Sequence, residues 1–261
     1  MYLRRSTVAG TFYPDDPLVL KKMVENYLHQ ATVEKLKTQP KALIVPHAGY
    51  IYSGQVAAYG FKILEDKLYK KIILLGPSHH FSFQGLTFCS AGYWETPLGR
   101  IECSGKENLK ELKKPKESIE SSEIHEPEHC LEVQLPFLQL VLSDFKIISC
   151  LTGEVDIKKA AQIIESILDD ETLLLVSSDL SHYYQYEEAK KLDKVTIDAI
   201  LDNDSQRLEK FGEACGKTGI EMLIEIAKKR NWQPKLLKAL NSGDITGEKT
   251  QVVGYASIAY L

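Results

Sequence analysis

The sequence predicts an α/β fold: a single domain, 1–261, with a central mixed or mainly parallel sheet flanked by helices. Three observations predict it. Short β-branched and leucine-rich runs alternate with amphipathic helical stretches along the whole chain. No repeat, low-complexity tract or linker interrupts that alternation. The 261 residues suit one large domain and are ample for a core.

Asp16-Pro17 is a helix start signal, and residues 15 to 36 read as an amphipathic helix. Ala42 to Val45 is a buried strand, stopped by Pro46. Ser53 is placed to cap a helix over Gln55 to Leu64. Lys71 to Leu75 is the next strand, ended by Gly76-Pro77, and Leu86 to Cys89 is a weaker one. Tyr93 to Arg100, with Pro97 and Gly99, reads as a turn or loop. Ser104 to Glu128 holds a lysine-rich block, Lys106 to Lys116, and then an acidic one; it reads as a solvated helix and loop. Helices follow over His129 to Leu142 and Ile157 to Leu168, with strands at Phe145 to Ser149 and Thr172 to Val176. Helices at Tyr186 to Leu201, Ser205 to Glu213 and Thr218 to Lys229 precede two closing strands, 234 to 240 and 251 to 260.

Hydrophobic residues at 44% and charged residues at 26% are ordinary for a soluble globular protein. A net charge of -4 gives no support for nucleic-acid or anionic-membrane partners. Five cysteines without a C-x-x-C pair suit a reducing compartment. No apolar segment follows Arg4-Arg5, and no apolar run is long enough to span a bilayer. The expectation is a cytoplasmic protein.

Chemistry is concentrated where strands end. His47 lies in Pro46-His47-Ala48-Gly49, His79 and His80 follow Gly76-Pro77-Ser78, and Asp179 and His182 follow Ser177-Ser178. Carboxyl ends of strands are where α/β sheets collect ligands. Each histidine alone is either a metal ligand or a packed loop residue. Neighbours in an extended segment point opposite ways, so one of His79 and His80 faces a given pocket. Asp179 and His182, three apart, would share a face of a helical turn, the carboxylate orienting the imidazole; Asp179 could equally be a helix cap. His125 and His129 mimic a zinc-binding helical pair, but Pro127 between them breaks the helix. Glu128 and His129 remain able to reach a shared pocket. Cys215, just before Gly216, is expected at a helix N-terminus with a lowered pKa, as a soft ligand or a nucleophile.

These segments, with Ala9-Gly10-Thr11-Phe12-Tyr13-Pro14, Tyr52-Ser53-Gly54, Thr96-Pro97-Leu98-Gly99 and Glu128 to Phe137, resemble the Memo family over nearly the whole chain. Its prokaryotic members are called AmmeMemoRadiSam system protein B. The resemblance implies a fold like class III extradiol dioxygenases. It also implies His47, His79 and Cys215 as metal ligands, with Asp179 and His182 lining the same pocket and His182 at the position of the dioxygenases' catalytic histidine. Asp179 and His182 are thus the expected catalytic residues, and the residues themselves suggest His80, Glu128 and His129 as their surroundings. The implied cofactor is iron or copper, with zinc as a further option. The implied partners are a radical-SAM protein and an AMMECR-type protein. Ring-opening dioxygenases use two histidines and a carboxylate, whereas a thiol stands third here. The expectation is therefore a metal-binding redox protein of a modification pathway. The alternatives are a non-catalytic peptide- or protein-binding module using the same cleft, and a metal-free hydrolase with Cys215 as nucleophile.

Overall fold

The computed structural model describes residues 2–34, 36, 38–104 and 118–261. The lysine-rich block Lys106 to Lys116, expected as solvated helix and loop, lies outside the described residues.

Among the described residues, a mixed sheet of nine strands forms the centre. Its heart is four parallel strands: β2 (Ala42–Val45), β9 (Thr172–Ser177), β3 (Lys71–Pro77) and β8 (Lys146–Thr152), side by side in that order. β12 (Val252–Tyr260) pairs antiparallel with β2, and β11 (Pro234–Asn241) and β10 (His182–Tyr184) pair antiparallel with β12. On the far side β4 (Leu86–Phe88) runs antiparallel to β8 and carries β7 (Ser118–Glu120). A second sheet joins β1 (Leu3–Arg4), β5 (Tyr93–Thr96) and β6 (Gly99–Glu102).

The inner strands are apolar on both faces because helices cover both. Leu43, Val45, Leu74, Leu173 and Leu175 face the helices α1 (Pro17–Gln30), α2 (Tyr50–Lys62) and α4 (Leu135–Val141). The alternate residues Ile44, Ile73, Leu75, Leu174 and Val176 face α5 (Ile157–Ser166), α6 (Tyr186–Leu201) and α8 (Lys217–Arg230). Asp16 caps α1 by accepting from the Leu18 and Val19 amides, with Pro17 in the first turn.

Several expectations need correction. α2 begins at Tyr50, not after Ser53, whose hydroxyl instead donates to the Ala48 carbonyl. Tyr93 to Arg100 is not a loop: β5 and β6 form a hairpin that turns at Pro97-Leu98, and Gly99, whose φ of 122° suits glycine, opens β6. Within 118–128, β7 and α3 (Ser122–His125) are ordered elements, and His125 is buried rather than solvated. His129 to Leu142 is helical only from a 3-10 turn at Glu132–Gln134 onward. Two remaining helices, α7 (Ser205–Phe211) and α9 (Ser242–Thr246), complete the described chain, the latter unforeseen. Among the described residues, no helix is long and apolar enough to cross a membrane.

Candidate metal centre

Register brings the loops together. Val45 lies beside Ser177, and Leu75 beside Val176, so β2, β9 and β3 end at one level. Their loops carry His47, Asp179 and His79. α8 packs against β3 and β9 and sets Cys215 beside them. Gly216 permits this approach: a Cβ there would meet the Ser177 carbonyl oxygen at 2.6 Å.

His47 is buried, 2% exposed. Its Nδ1 is 2.9 Å from Ser177 Oγ and its Nε2 is 3.1 Å from Cys215 Sγ. Neighbouring bonds settle the tautomer. Ser177 has one hydroxyl proton, donated to the Cys130 carbonyl at 2.7 Å. Ser177 Oγ also accepts from Gln134 Nε2 at 2.8 Å. Toward His47 it can only accept, so Nδ1 carries the hydrogen and Nε2 offers a lone pair beside the thiol.

His79 follows the same logic. Its Nδ1 is 2.9 Å from Glu128 Oε1, and its backbone N–H donates to Glu128 Oε2 at 2.7 Å. Burial would push the Glu128 carboxyl up, but these bonds and one from the Cys130 amide hold it well below the carboxylate range. An ionised Glu128 only accepts, so His79 Nδ1 carries a hydrogen and Nε2 is the ring nitrogen left to serve as a ligand atom. Such outer partners fix ligand tautomer and orientation. The side chain of His79 remains 30% exposed, open to the cleft.

Asp179 ties these loops to one another. Its Oδ1 accepts from the His47 amide at 2.7 Å and the Ala48 amide at 3.3 Å, while its own amide donates to Cys215 Sγ at 3.2 Å. Burial raises its pKa to about 6, against the pull of the His47 N–H and of His182. The helical turn expected to join Asp179 to His182 does not form: His182 begins β10, and Asp179 serves the His47 loop. His182 stands on the cleft wall.

One ligand atom from each of His47, His79 and Cys215 lies within 4.8 Å of the other two. A tetrahedral centre with bonds of roughly 2.0–2.3 Å spaces its ligands roughly 3.5 Å apart, so small side-chain rotations would close this set on an ion. Burial, reinforced by neighbouring His79, lowers the His47 pKa to about 3, leaving it a neutral donor. The expected low pKa of Cys215 is corrected: burial, and then the Asp179 charge, raise it to about 12. A half-buried thiol with so raised a pKa is a poor free nucleophile, and a metal ion would displace its proton. The donor set therefore fits a borderline or soft transition metal.

His129 and Glu128 do reach the site. The His129 ring centroid is 4.6 Å from that of His79, and His79, Glu128 and His129 form a second close trio of possible ligand atoms. His80 is exposed, 6.5 Å from the His129 ring, and does not line the cleft. His125 lies apart: its Nε2 donates to the Thr87 carbonyl at 3.0 Å. The cleft encloses about 720 Å³, with Phe12, Tyr52, Tyr183 and Tyr255 on its walls.

With this geometry in place, sequence comparison assigns the family. The profile described as Memo-like protein matches residues 4–259. The chain belongs to the Memo-like family. It is 36% identical to a MEMO1 family protein of Aquifex aeolicus over 274 residues, covering 100% of both chains. It is 35% identical to MEMO1 family proteins of Sulfurisphaera tokodaii over 282 residues and of Archaeoglobus fulgidus over 271, each with 99% of both chains covered.

For a member of the Memo-like family, some supporting residues escaped the sequence reading. Ser177 and Gln134 lie inside the quoted motifs but carried no assigned role. Arg4 carried no signal at all. It is buried, donates to Glu132 Oε2 at 2.6 Å and to the Glu128 carbonyl at 2.6 Å, and lies 4.0 Å over the Trp94 ring. Glu132 in turn accepts from Tyr13 Oη at 2.6 Å and from the Val8 amide at 3.0 Å. This network pins the loop that presents Glu128 and His129.

Proposed function

We propose that this protein binds one transition-metal ion, iron or copper, through His47 Nε2, His79 Nε2 and Cys215 Sγ. The proposed role is a redox step on a substrate held in the adjoining cleft. The observation that carries the reading is the convergence of three ligand atoms within 4.8 Å, two of them nitrogens whose lone pairs are oriented by Ser177 and Glu128. The ion would supply electron exchange and polarisation of a bound oxygen or nitrogen atom. The chain's own residues bind and orient: aromatic walls offer apolar contact to a substrate, Asp179 holds the His47 loop, and His182 stands where it can exchange a proton with the cleft. A thiolate in place of a carboxylate favours Cu(I), or iron chemistry other than catechol ring opening. Zinc satisfies the same donors without redox chemistry. A radical-SAM protein and an AMMECR-type protein are the proposed partners in a modification pathway, and pull-down with each tests that part.

Metal analysis of protein purified anaerobically without chelator tests the centre. About one iron or copper per chain is expected, lost in Cys215→Ala with the fold retained by circular dichroism. A metal-free wild type that also fails to take up added Fe(II) or Cu(I) would refute it.

A further inference from the structure

A second crevice shares no lining residue with the metal cleft. It lies where α7 and its cap meet α8, with α5 at one side, and encloses about 530 Å³. Asp204 and Glu209 line it from α7 and its cap, Glu221 and Glu225 from α8, and Lys158 and Lys228 face the same space. Four carboxylates thus meet two ammonium groups. Lys228 is already engaged, 3.2 Å from Ser205 Oγ and 3.5 Å from Glu225 Oε1.

Glu221 is the anomaly. It is only 8% exposed, and its Oε1 is buried without a hydrogen-bond partner among the described residues. Burial raises its pKa, and the like charge of Glu209 pushes the same way against the pull of Lys217. A buried acceptor with no donor is costly unless something supplies one.

The spacing distinguishes the ligand. A single divalent cation needs several oxygens drawn around one point. Among the described residues, the clusters with ligand atoms within 4.8 Å of one another are the two at the metal cleft, and none includes these acids. The cavity is also far larger than one ion requires. Instead the acids lie along the helices: Glu221 and Glu225 are one turn apart, about 6 Å along the axis, and Glu209 comes from the neighbouring helix. That pattern suits several ammonium groups separated by short methylene chains.

We propose that this crevice binds a linear aliphatic polyamine, with Glu221 and Glu209 receiving its ammonium groups. Calorimetric titration of the full chain with spermidine at low ionic strength tests it. The expected result is saturable one-to-one binding, weakened at least tenfold in Glu221→Gln and in Glu209→Gln. Binding should be unchanged in Glu187→Gln/Glu188→Gln, which removes two exposed acids elsewhere. Without ligand, Glu221→Gln should melt no lower than wild type, since it removes a buried, unpartnered carboxylate. If Glu221→Gln does not fold, exposed Glu209 carries the test. Absence of saturable binding, equal affinity in the foldable variants, or equal loss in the control pair would overturn the proposal. Displacement of spermidine by equimolar Mg²⁺ would assign the crevice to an inorganic cation and overturn it too.

Discussion

Ser177→Ala isolates the device that aims His47. Ser177 is fully buried and makes three contacts, to Cys130, Gln134 and His47. Removing its hydroxyl affects them unequally. Gln134 Nε2 keeps the Pro46 carbonyl at 3.0 Å, and the Cys130 carbonyl keeps Gln134 at 3.3 Å. His47 Nδ1–H is the group left without an acceptor. One orphaned buried donor costs about 1–3 kcal/mol of stability. The ring then loses its preference for the tautomer that bares Nε2, and an Nε2–H would face the thiol instead. Removing such an outer partner typically weakens metal binding about 10–100-fold, or roughly 1.4–2.8 kcal/mol. Two measurements check this. Long-range ¹H–¹⁵N correlation on the metal-free protein should show His47 protonated at Nδ1 in wild type. Competition with a chromophoric chelator should show the affinity loss in the variant. An Nε2–H tautomer in wild type, or affinity within twofold in a folded Ser177→Ala, would refute the reasoning.

Glu128→Gln should weaken metal binding by a similar factor, because an amide no longer enforces the His79 tautomer; the same competition assay reads it, and an unchanged affinity contradicts the role. Arg4→Ala strands the buried Glu132 carboxylate, an effect of about 3–5 kcal/mol. Calorimetry should find Tm lowered by on the order of 10 °C, and a shift of only a degree or two would show the network to be unimportant. Asp193 is buried, accepts from the Ser181 amide at 3.0 Å, and has its pKa raised to about 6, chiefly by burial. A raised acid pKa means the folded state holds the proton more tightly, so the penalty is absent below the unfolded pKa near 3.8, grows as pH rises toward 6, and is constant above. The stability advantage of Asp193→Asn over wild type should therefore appear between about pH 4 and 6 and level off; a pH-independent difference in Tm would contradict this.

The sheet was legible because its inner strands are unbroken apolar runs bounded by proline, glycine and serine, a local signal. The strand at Ala42 to Val45 and the helix from Tyr186 to Leu201 coincide with their expected bounds. Elements built from long-range contacts were not legible. The Tyr93 hairpin has a single positive-φ residue, Gly99, and pairs with a two-residue strand at the far N-terminus. His182 extends along β12 because pairing with Val253, remote in sequence, overrides the local helical spacing. At the centre, the candidate ligands could be named from residue type and resemblance. The tautomers could not, because they depend on Ser177, Gln134 and Glu128 converging in space. The Cys215 pKa failed for a related reason: proximity to a helix start is visible in sequence, while desolvation is not.

The order β2, β9, β3 has a geometric corollary. Adjacent strands lie about 4.8 Å apart, so the chains bearing the two imidazoles leave the sheet roughly 10 Å from each other. Their rings must arch across the tip of the intervening strand to meet. The side chain capping that tip acts as a spacer gauge. Serine is short enough to pass beneath the arch and still touch the His47 ring from below. A bulkier residue would wedge the imidazoles apart, and an alanine would leave the arch without its keystone.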